Sequence, residues 1–366
     1  MNIPISLQSR VRGCLLGGAT GDALGAPVEF MRLSQIRERF GLFGITDYAP
    51  AYGRIGAITD DTQMTLFTAE GMIRAFVRQS LRGICSPPAV ISHAYLRWLL
   101  TQGGHPSRGL KIGEDGWLWG VRELHHRRAP GNTCLSALAS MHEFTAEHAS
   151  NDSKGAGAIM RVAPTALMAP EGHEQDAQSV FDLAKSVSWI THGHPSGYLS
   201  AAAFAVILHG LLGGHILATG IERARDLLKG EEDSAETLGA IAKAMDCVEA
   251  GTPPDDAISL IGEGWVAEEA LGIALYCALT TSDFATAVRM AVNHDGDSDT
   301  TGSLVGQLLG AMQGEDAIPV HWLRDLELRN TIAEMADDLT NRPKWGLPAA
   351  NPSGFEETVC QRYPGW

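Results

Sequence analysis

The sequence predicts a mostly α-helical fold, and three observations carry that expectation. Apolar residues recur with a period near 3.6 in ten separate segments, as in helices that bury one face. Alternating runs bounded by turn residues, which would announce strands, are almost absent. Glycines recur every fourth residue in two stretches: Gly17, Gly21 and Gly25, then Gly302, Gly306 and Gly310. On a helix that spacing strips one face of side chains and lets another helix approach closely, here at the centre of a bundle.

In chain order the candidate helices span 7–19, 62–78, 88–101, 176–190, 196–213, 234–250, 267–279, 283–292, 300–313 and 328–340. The first lies within "RVRGCLLGGATGDALGAPV", which superficially has the arginines and small apolar stretch of a secretory leader. Asp22 interrupts that stretch, and the leader reading is rejected. In the second, Leu66, Ala69, Ile73, Phe76 and Val77 follow the helical period. Long irregular pieces, 40–58, 103–117, 145–163 and the tail from 341, are rich in Gly, Pro, Asp and Asn. Loops of that length inside a compact domain are usually functional. Trp345, Phe355 and Trp366 predict that the tail packs on the domain. No fixed-period repeat or low-complexity linker divides the chain, so 1–366 is expected to be one domain, with a motif core of about 10–315.

With 366 residues, 45% hydrophobic and 19% charged, the chain has ample material for a core. A formal charge of -15 argues against a nucleic-acid surface. The dense basic cluster "HHRRAP" at 125–130 is expected to be a solvated helix end. Six scattered cysteines with no CxxC pair read as buried reduced thiols, which fits a cytoplasmic setting. The chain is read as having no window of 18 uncharged apolar residues, so no membrane-spanning helix is expected.

Two acidic clusters carry the chemistry. "NHDGDSDTTG" places Asp295, Asp297 and Asp299 in five positions, just ahead of an apolar helix. "GAITDDTQMTLF" places Thr59, Asp60 and Asp61 at the start of another. An EF-hand reading fails, because positions six and twelve counted from Asp295 are Thr300 and Gly306 rather than Gly and Glu. One reading is N-capping, since Asp and Thr suit the positive end of a helix. The other is metal binding, since two such clusters exceed what capping needs. Carboxylate and hydroxyl oxygens favour hard cations such as Mg²⁺, Mn²⁺ or Ca²⁺ over zinc.

Three further pieces are acidic, glycine-rich or histidine-bearing. "TGDALGAPVEF" holds Asp22 and Glu29; with no strand before it and no G-x-G-x-x-G, it is a weak dinucleotide fingerprint. "SKGAGAIMRVAP" is a glycine turn that could present backbone N–H groups to phosphate. "WITHGHPSGYLS" carries His192 and His194, which could ligate metal, hydrogen-bond a phosphate, or serve as polar loop residues.

Taken in order, "GCLLGGATGDALGAPVEF", "GAITDDTQMTL", "SKGAGAIMRVAP", "WITHGHPSGYLSAAAFA" and "NHDGDSDTTGSLVGQLLGAMQG" resemble the bacterial ADP-ribosylglycohydrolases related to dinitrogenase reductase-activating glycohydrolase. The resemblance implies an all-α fold, a compact orthogonal multi-helix bundle around a central dinuclear site. It implies two Mg²⁺ ions, with Mn²⁺ as the alternative, and hydrolysis of the bond between ADP-ribose and a modified side chain. By motif, Thr59, Asp60, Asp61, Asp297, Asp299 and Thr300 would ligate metal. Glu29, Asp60, Asp61 and Asp297 are the catalytic candidates. Gly155, Ala156, Gly157 and Met160 of the 153–161 loop, with His192, would hold ADP-ribose, and Asp22 would support the site. Two positions depart from the family pattern: Ala156 stands where many relatives carry Asn, and Asp295 adds a carboxylate.

The resemblance implies an ADP-ribosylated protein as partner, arginine as the leading linkage, and serine or a small-molecule ester as the alternative. A binding role, immunity against an ADP-ribosyltransferase toxin, is the reading from a different class. The roughly nine residues ahead of the first motif offer it only a short plug.

Overall fold

The computed structural model describes residues 4–107, 110–142, 148–167, 177–347 and 354–365. Among them it holds seventeen α-helices and no strand; the extended contacts are two isolated bridges, Ala51 with Arg54 and Gly155 with Val266. The helices are α1 (Leu7–Gly25), α2 (Leu33–Phe40), α3 (Asp60–Arg82), α4 (Pro87–Thr101), α5 (Asn132–Ala139), α6 (Ala163–Ala166), α7 (Ala177–Ser188), α8 (Pro195–Leu212) and α9 (Leu217–Leu228). There follow α10 (Ala235–Glu249), α11 (Pro254–Ile261), α12 (Ala267–Thr280), α13 (Phe284–Val292), α14 (Ser298–Gln313), α15 (Val320–Asp325), α16 (Arg329–Asn341) and α17 (Gly354–Arg362).

All ten predicted helices are present. The sequence reading missed α2, α5, α6, α11, α15 and α17, which have nine residues or fewer and are too short to show a period, and also α9, whose Leu217, Ile221, Ala224 and Leu228 do follow the helical period. Two starts move two residues earlier: α3 begins at Asp60 and α14 at Ser298. The shifts place Asp60, Asp61 and Asp299 inside the first helical turn, with Thr59 and Asp297 at the N-cap positions.

The glycine stripes meet each other. Helices α1 and α14 are the most extensively packed pair, and they run antiparallel: Gly13 lies against Gly310, Gly17 against Gly306, Gly21 against Gly302 and Gly25 against Ser298. A Cβ on any of these α1 glycines would overlap a backbone carbonyl of α14. The backbones touch, so the C-terminal end of α1 arrives beside the N-terminal end of α14.

Helix α8 corrects the expectation that no segment could span a membrane. Its 18 residues reach a mean hydropathy of 1.4, which meets the length and composition of a span. However, 78% of that window is buried inside the protein, where α7, α9, α12 and α14 surround it. It is apolar all round because it has no solvent face. The basic cluster is corrected too. His125 is exposed, but Arg128 is buried, donating to both oxygens of buried Glu327 at 2.9 and 3.1 Å. Among the described tail residues, Trp345 is buried and stacks on Tyr363 at 5.9 Å. The side chains of Phe355 and Trp366 lie outside the described residues.

Candidate active site

The seam between α1 and α14 ends in a cavity of about 190 Å³. Glu29, Asp60, Asp61, Asp297, Asp299 and Thr300 line it on one side; Gly155, Ala156, Gly157, Met160 and His192 line the other. Every predicted site residue except Thr59 therefore faces one space, although the sequence separates them by up to 271 positions (from Glu29 to Thr300).

Thr59 sits just behind. It is the N-cap of α3, its hydroxyl accepting from Asp61 N at 3.3 Å. Asp22, fully buried, accepts from Thr59 N at 3.0 Å and from Thr62 N at 3.2 Å, as well as from the Thr62 hydroxyl. It satisfies the first N–H groups of α3, so Asp60 and Asp61 are not needed as caps. Asp60 accepts from Gly131 N at 3.2 Å and donates its own N–H to Arg128 O at 3.1 Å. The buried Arg128–Glu327 pair also grips Ile58 N and O, at 3.1 and 3.0 Å. It fixes the segment that delivers α3. Nothing in the spacing of two residues 199 positions apart marks that brace.

Capping thus explains Asp22 and Thr59, not the aspartates lining the cavity. Asp297, the N-cap residue of α14, makes no side-chain cap bond. Asp61 Oδ1 and Glu29 Oε2 are buried without any hydrogen-bond partner. No described Lys or Arg pairs with Glu29, Asp60, Asp61, Asp297 or Asp299. Burial drives all five upward in pKa, and repulsion from neighbouring carboxylates adds to it for Glu29, Asp60, Asp61 and Asp297; Glu29 is pushed to about 11, and supporting Asp22 rises to about 7.

An arrangement of this sign and chemistry fits hard divalent cations. Among the described residues no three His, Cys, Asp or Glu groups already converge on one point. Mg²⁺ does not require that, since it keeps several of its waters and takes one or two carboxylates.

The opposite wall is a turn held from both flanks. Ala156 N donates to Trp265 O at 3.1 Å, and Asn151 Oδ1 accepts from Ser153 N and Gly193 N at 3.0 and 3.1 Å. His192 is buried, with Nδ1 2.9 Å from the Thr191 hydroxyl. Burial, and then the charge of Arg161, push His192 down to about 3, so it is neutral near pH 7. The two histidines part company: His194 caps α8, its Nδ1 accepting from Ser196 N at 3.1 Å. Ala156 is buried, and its side chain offers no polar contact. Asp295 is half exposed, accepts from Leu33 N, and lies 3.6 Å from Arg32. It fastens the start of α2 and does not line the cavity.

Sequence reasoning missed Asn132, Thr133, Cys134 and Trp265, which also line the space. Trp265 stacks on exposed Phe30 at 6.0 Å, next to Glu29. A tryptophan flanked by "GEG" was the one available hint.

A model of the family described as ADP-ribosylglycohydrolase matches residues 4–348. The ADP-ribosyl-[dinitrogen reductase] glycohydrolase of Rhodospirillum rubrum is 29% identical over 334 residues, which are 88% of this chain and 92% of the relative. The ADP-ribosylarginine hydrolase Tri1 of Serratia proteamaculans is 24% identical, over 90% of this chain and 78% of its own. A solved ADP-ribosylglycohydrolase-related protein complex superposes with a TM-score of 0.64 at 26% identity, covering 92% of this chain and 99% of that one.

Proposed function

This chain belongs to the ADP-ribosylglycohydrolase family and is a glycohydrolase acting on ADP-ribose linkages, and on that premise we propose that it removes ADP-ribose from arginine side chains of proteins with the help of two divalent cations, Mg²⁺ or Mn²⁺. The observation that carries the cation part is the buried set Glu29, Asp60, Asp61, Asp297 and Asp299, with no positive partner and two orphaned oxygens. The names of the Rhodospirillum and Serratia relatives support a protein substrate and an arginine linkage respectively.

Thr59, Asp60, Asp61, Asp297, Asp299 and Thr300 would hold the cations. When bound, such ions supply positive charge and Lewis acidity to oxygen ligands, including vicinal ribose hydroxyls. The protein's own groups do the rest. The glycine loop and His192 bind and orient the diphosphate through backbone and ring N–H groups. The carboxylates stabilise the positive charge that builds at the anomeric carbon as its bond to the guanidine nitrogen breaks. The electron pair leaves with nitrogen, which takes a proton from Glu29 at Oε2. A water oxygen adds at the anomeric carbon and gives its proton to a carboxylate. Phe30 and Trp265 shield the mouth.

The test is ADP-ribose release from an arginine-ADP-ribosylated protein in Mg²⁺ and in EDTA, with Asp297→Ala alongside. Release that EDTA and the variant both abolish is the expected result. A folded protein that binds ADP-ribose yet releases none from arginine overturns the linkage, and a serine-modified protein is then the substrate to assay.

A further inference from the structure

Behind the glycine loop, Arg161 imposes an order on the protons around His192. Arg161 is fully buried, and no carboxylate is among its described contacts. Its guanidinium donates to Gly157 O at 2.9 Å, to Cys134 Sγ at 3.2 Å and to Thr191 Oγ1 at 2.6 Å, and it stands 4.3 Å from the centre of the Tyr95 ring. A guanidinium has five donors and no acceptor, so Thr191 Oγ1 is the acceptor in that pair. The hydroxyl still has its own proton to place. Its other strong neighbour is His192 Nδ1 at 2.9 Å.

The opposite order is poor on three grounds. An Nδ1–H donating to Thr191 would crowd two donors onto one oxygen. It would set the ring proton beside the guanidinium charge. It would also leave the hydroxyl proton to Cys134, a weak sulfur acceptor that Arg161 already engages. With Nδ1 as acceptor, the Thr191 hydroxyl proton has a strong partner, and of the relay's buried donors Arg161 Nε is the one left without one.

We propose that Arg161 and Thr191 are positioning residues that lock His192 as the neutral Nε2–H tautomer, so that this N–H faces the cavity as a donor to one diphosphate oxygen of ADP-ribose. The Nε2 edge looks at the glycine loop: a Cβ built on Gly157 or Gly155 would lie 3.4 or 3.6 Å from it. His192 also lines the cavity. The ligand half of the proposal rests on reading that loop as the diphosphate cradle. The tautomer half does not. Arg161 adds a buried positive charge behind the loop, with no carboxylate among its described contacts. A doubly charged diphosphate is the ligand chemistry that suits both features.

The experiment is ¹⁵N NMR of the histidine rings in the full chain, for wild type, Thr191→Val and Thr191→Ser, with ADP-ribose titrated into each. The wild-type His192 signals are expected to report protonation at Nε2 alone. Thr191→Val is expected to lose that pattern and weaken ADP-ribose about tenfold or more, the cost of misplacing one charge-assisted hydrogen bond. Thr191→Ser is expected to restore both, and in Thr191→Val kcat on a modified protein falls less than affinity does. A wild-type ring protonated at Nδ1 overturns the relay, and that reading needs no variant to fold. So does an unchanged Nε2–H pattern in a folded Thr191→Val protein. A tautomer that shifts while ADP-ribose affinity holds leaves the relay standing and overturns the role of His192 on the diphosphate.

Discussion

Among the buried carboxylates of helix α3, Asp61 and Glu70 stand nine positions apart and live in opposite circumstances. Glu70 accepts from Arg97 at 2.8 Å and from Arg74 at 3.2 Å, and Arg74 reaches on to Asp115 at 2.8 Å. Asp61 has aspartates for neighbours and one oxygen with no partner at all. Burial alone does not distinguish them, since both are at or near zero exposure. Local neutrality does. A buried charge network that closes on itself is architecture; one that stays open at the same sign awaits something brought from outside.

The comparison is easiest to break with the two neutralising substitutions. Asp61→Asn is expected to lower turnover of a modified protein by roughly 10²–10⁴-fold. In EDTA it should raise the melting temperature, because it removes a buried repelled charge. Glu70→Ala should do the reverse. It strands the buried guanidinium of Arg97, leaves Arg74 with Asp115 alone, and costs about 3–5 kcal/mol of stability, while the protein that remains folded keeps its kcat. Chemical denaturation together with single-substrate kinetics separates the two; like-signed stability effects would erase the distinction.

The titration of the open cluster sharpens it further. Glu29 and Asp22 have folded pKa values of about 11 and about 7, above their ordinary 4.5 and 3.8. Between those limits the folded protein binds more protons than the unfolded chain, so without cations stability falls as pH rises. Melting in EDTA is expected at a lower temperature near pH 8 than near pH 6. Saturating Mg²⁺, worth about 2.7 kcal/mol at a hundred times its Kd, should raise melting more at the higher pH, since protons then compete less. An Mg²⁺ gain that is the same at both values would contradict an open carboxylate site.

The smallest effect belongs to Asp295, an acid of the same motif that faces solvent and holds the start of α2. Asp295→Asn should shift stability by no more than about 0.5 kcal/mol and leave kcat unchanged. A large loss of turnover would place it in the chemistry after all.

These contrasts also show where the sequence speaks. Thr59, Asp60 and Asp61 were legible because three chemically alike residues stand together at a helix start, and Asp297, Asp299 and Thr300 for the same reason. The glycine stripes were legible because a four-residue repeat is a property of one helix. Pairings were not. Glu70 with Arg97, Arg128 with Glu327 and Arg161 with Thr191 join separate elements, so they exist only once those elements have docked. Arg161 stood in plain view in "SKGAGAIMRVAP". Its burial could not be read there, because arginine is ordinarily a surface residue. The same limit explains α8, whose apolar run has the composition of a membrane span until its packed neighbours are seen.

The seam between α1 and α14 also sets a timetable. Gly21 leaves the ribosome well before its partner Gly302, which is made 281 residues later. At the usual 5–20 residues per second, that is a delay of about 15–60 s. Throughout it, α1 has emerged with its bare glycine face uncovered, and half of the acidic cluster has no counterpart. The reaction centre therefore cannot close until α14 has been made. A ribosome that stalls or terminates before α14 releases a chain with most of its helices and no hydrolytic centre, and with an exposed face for chaperones to find.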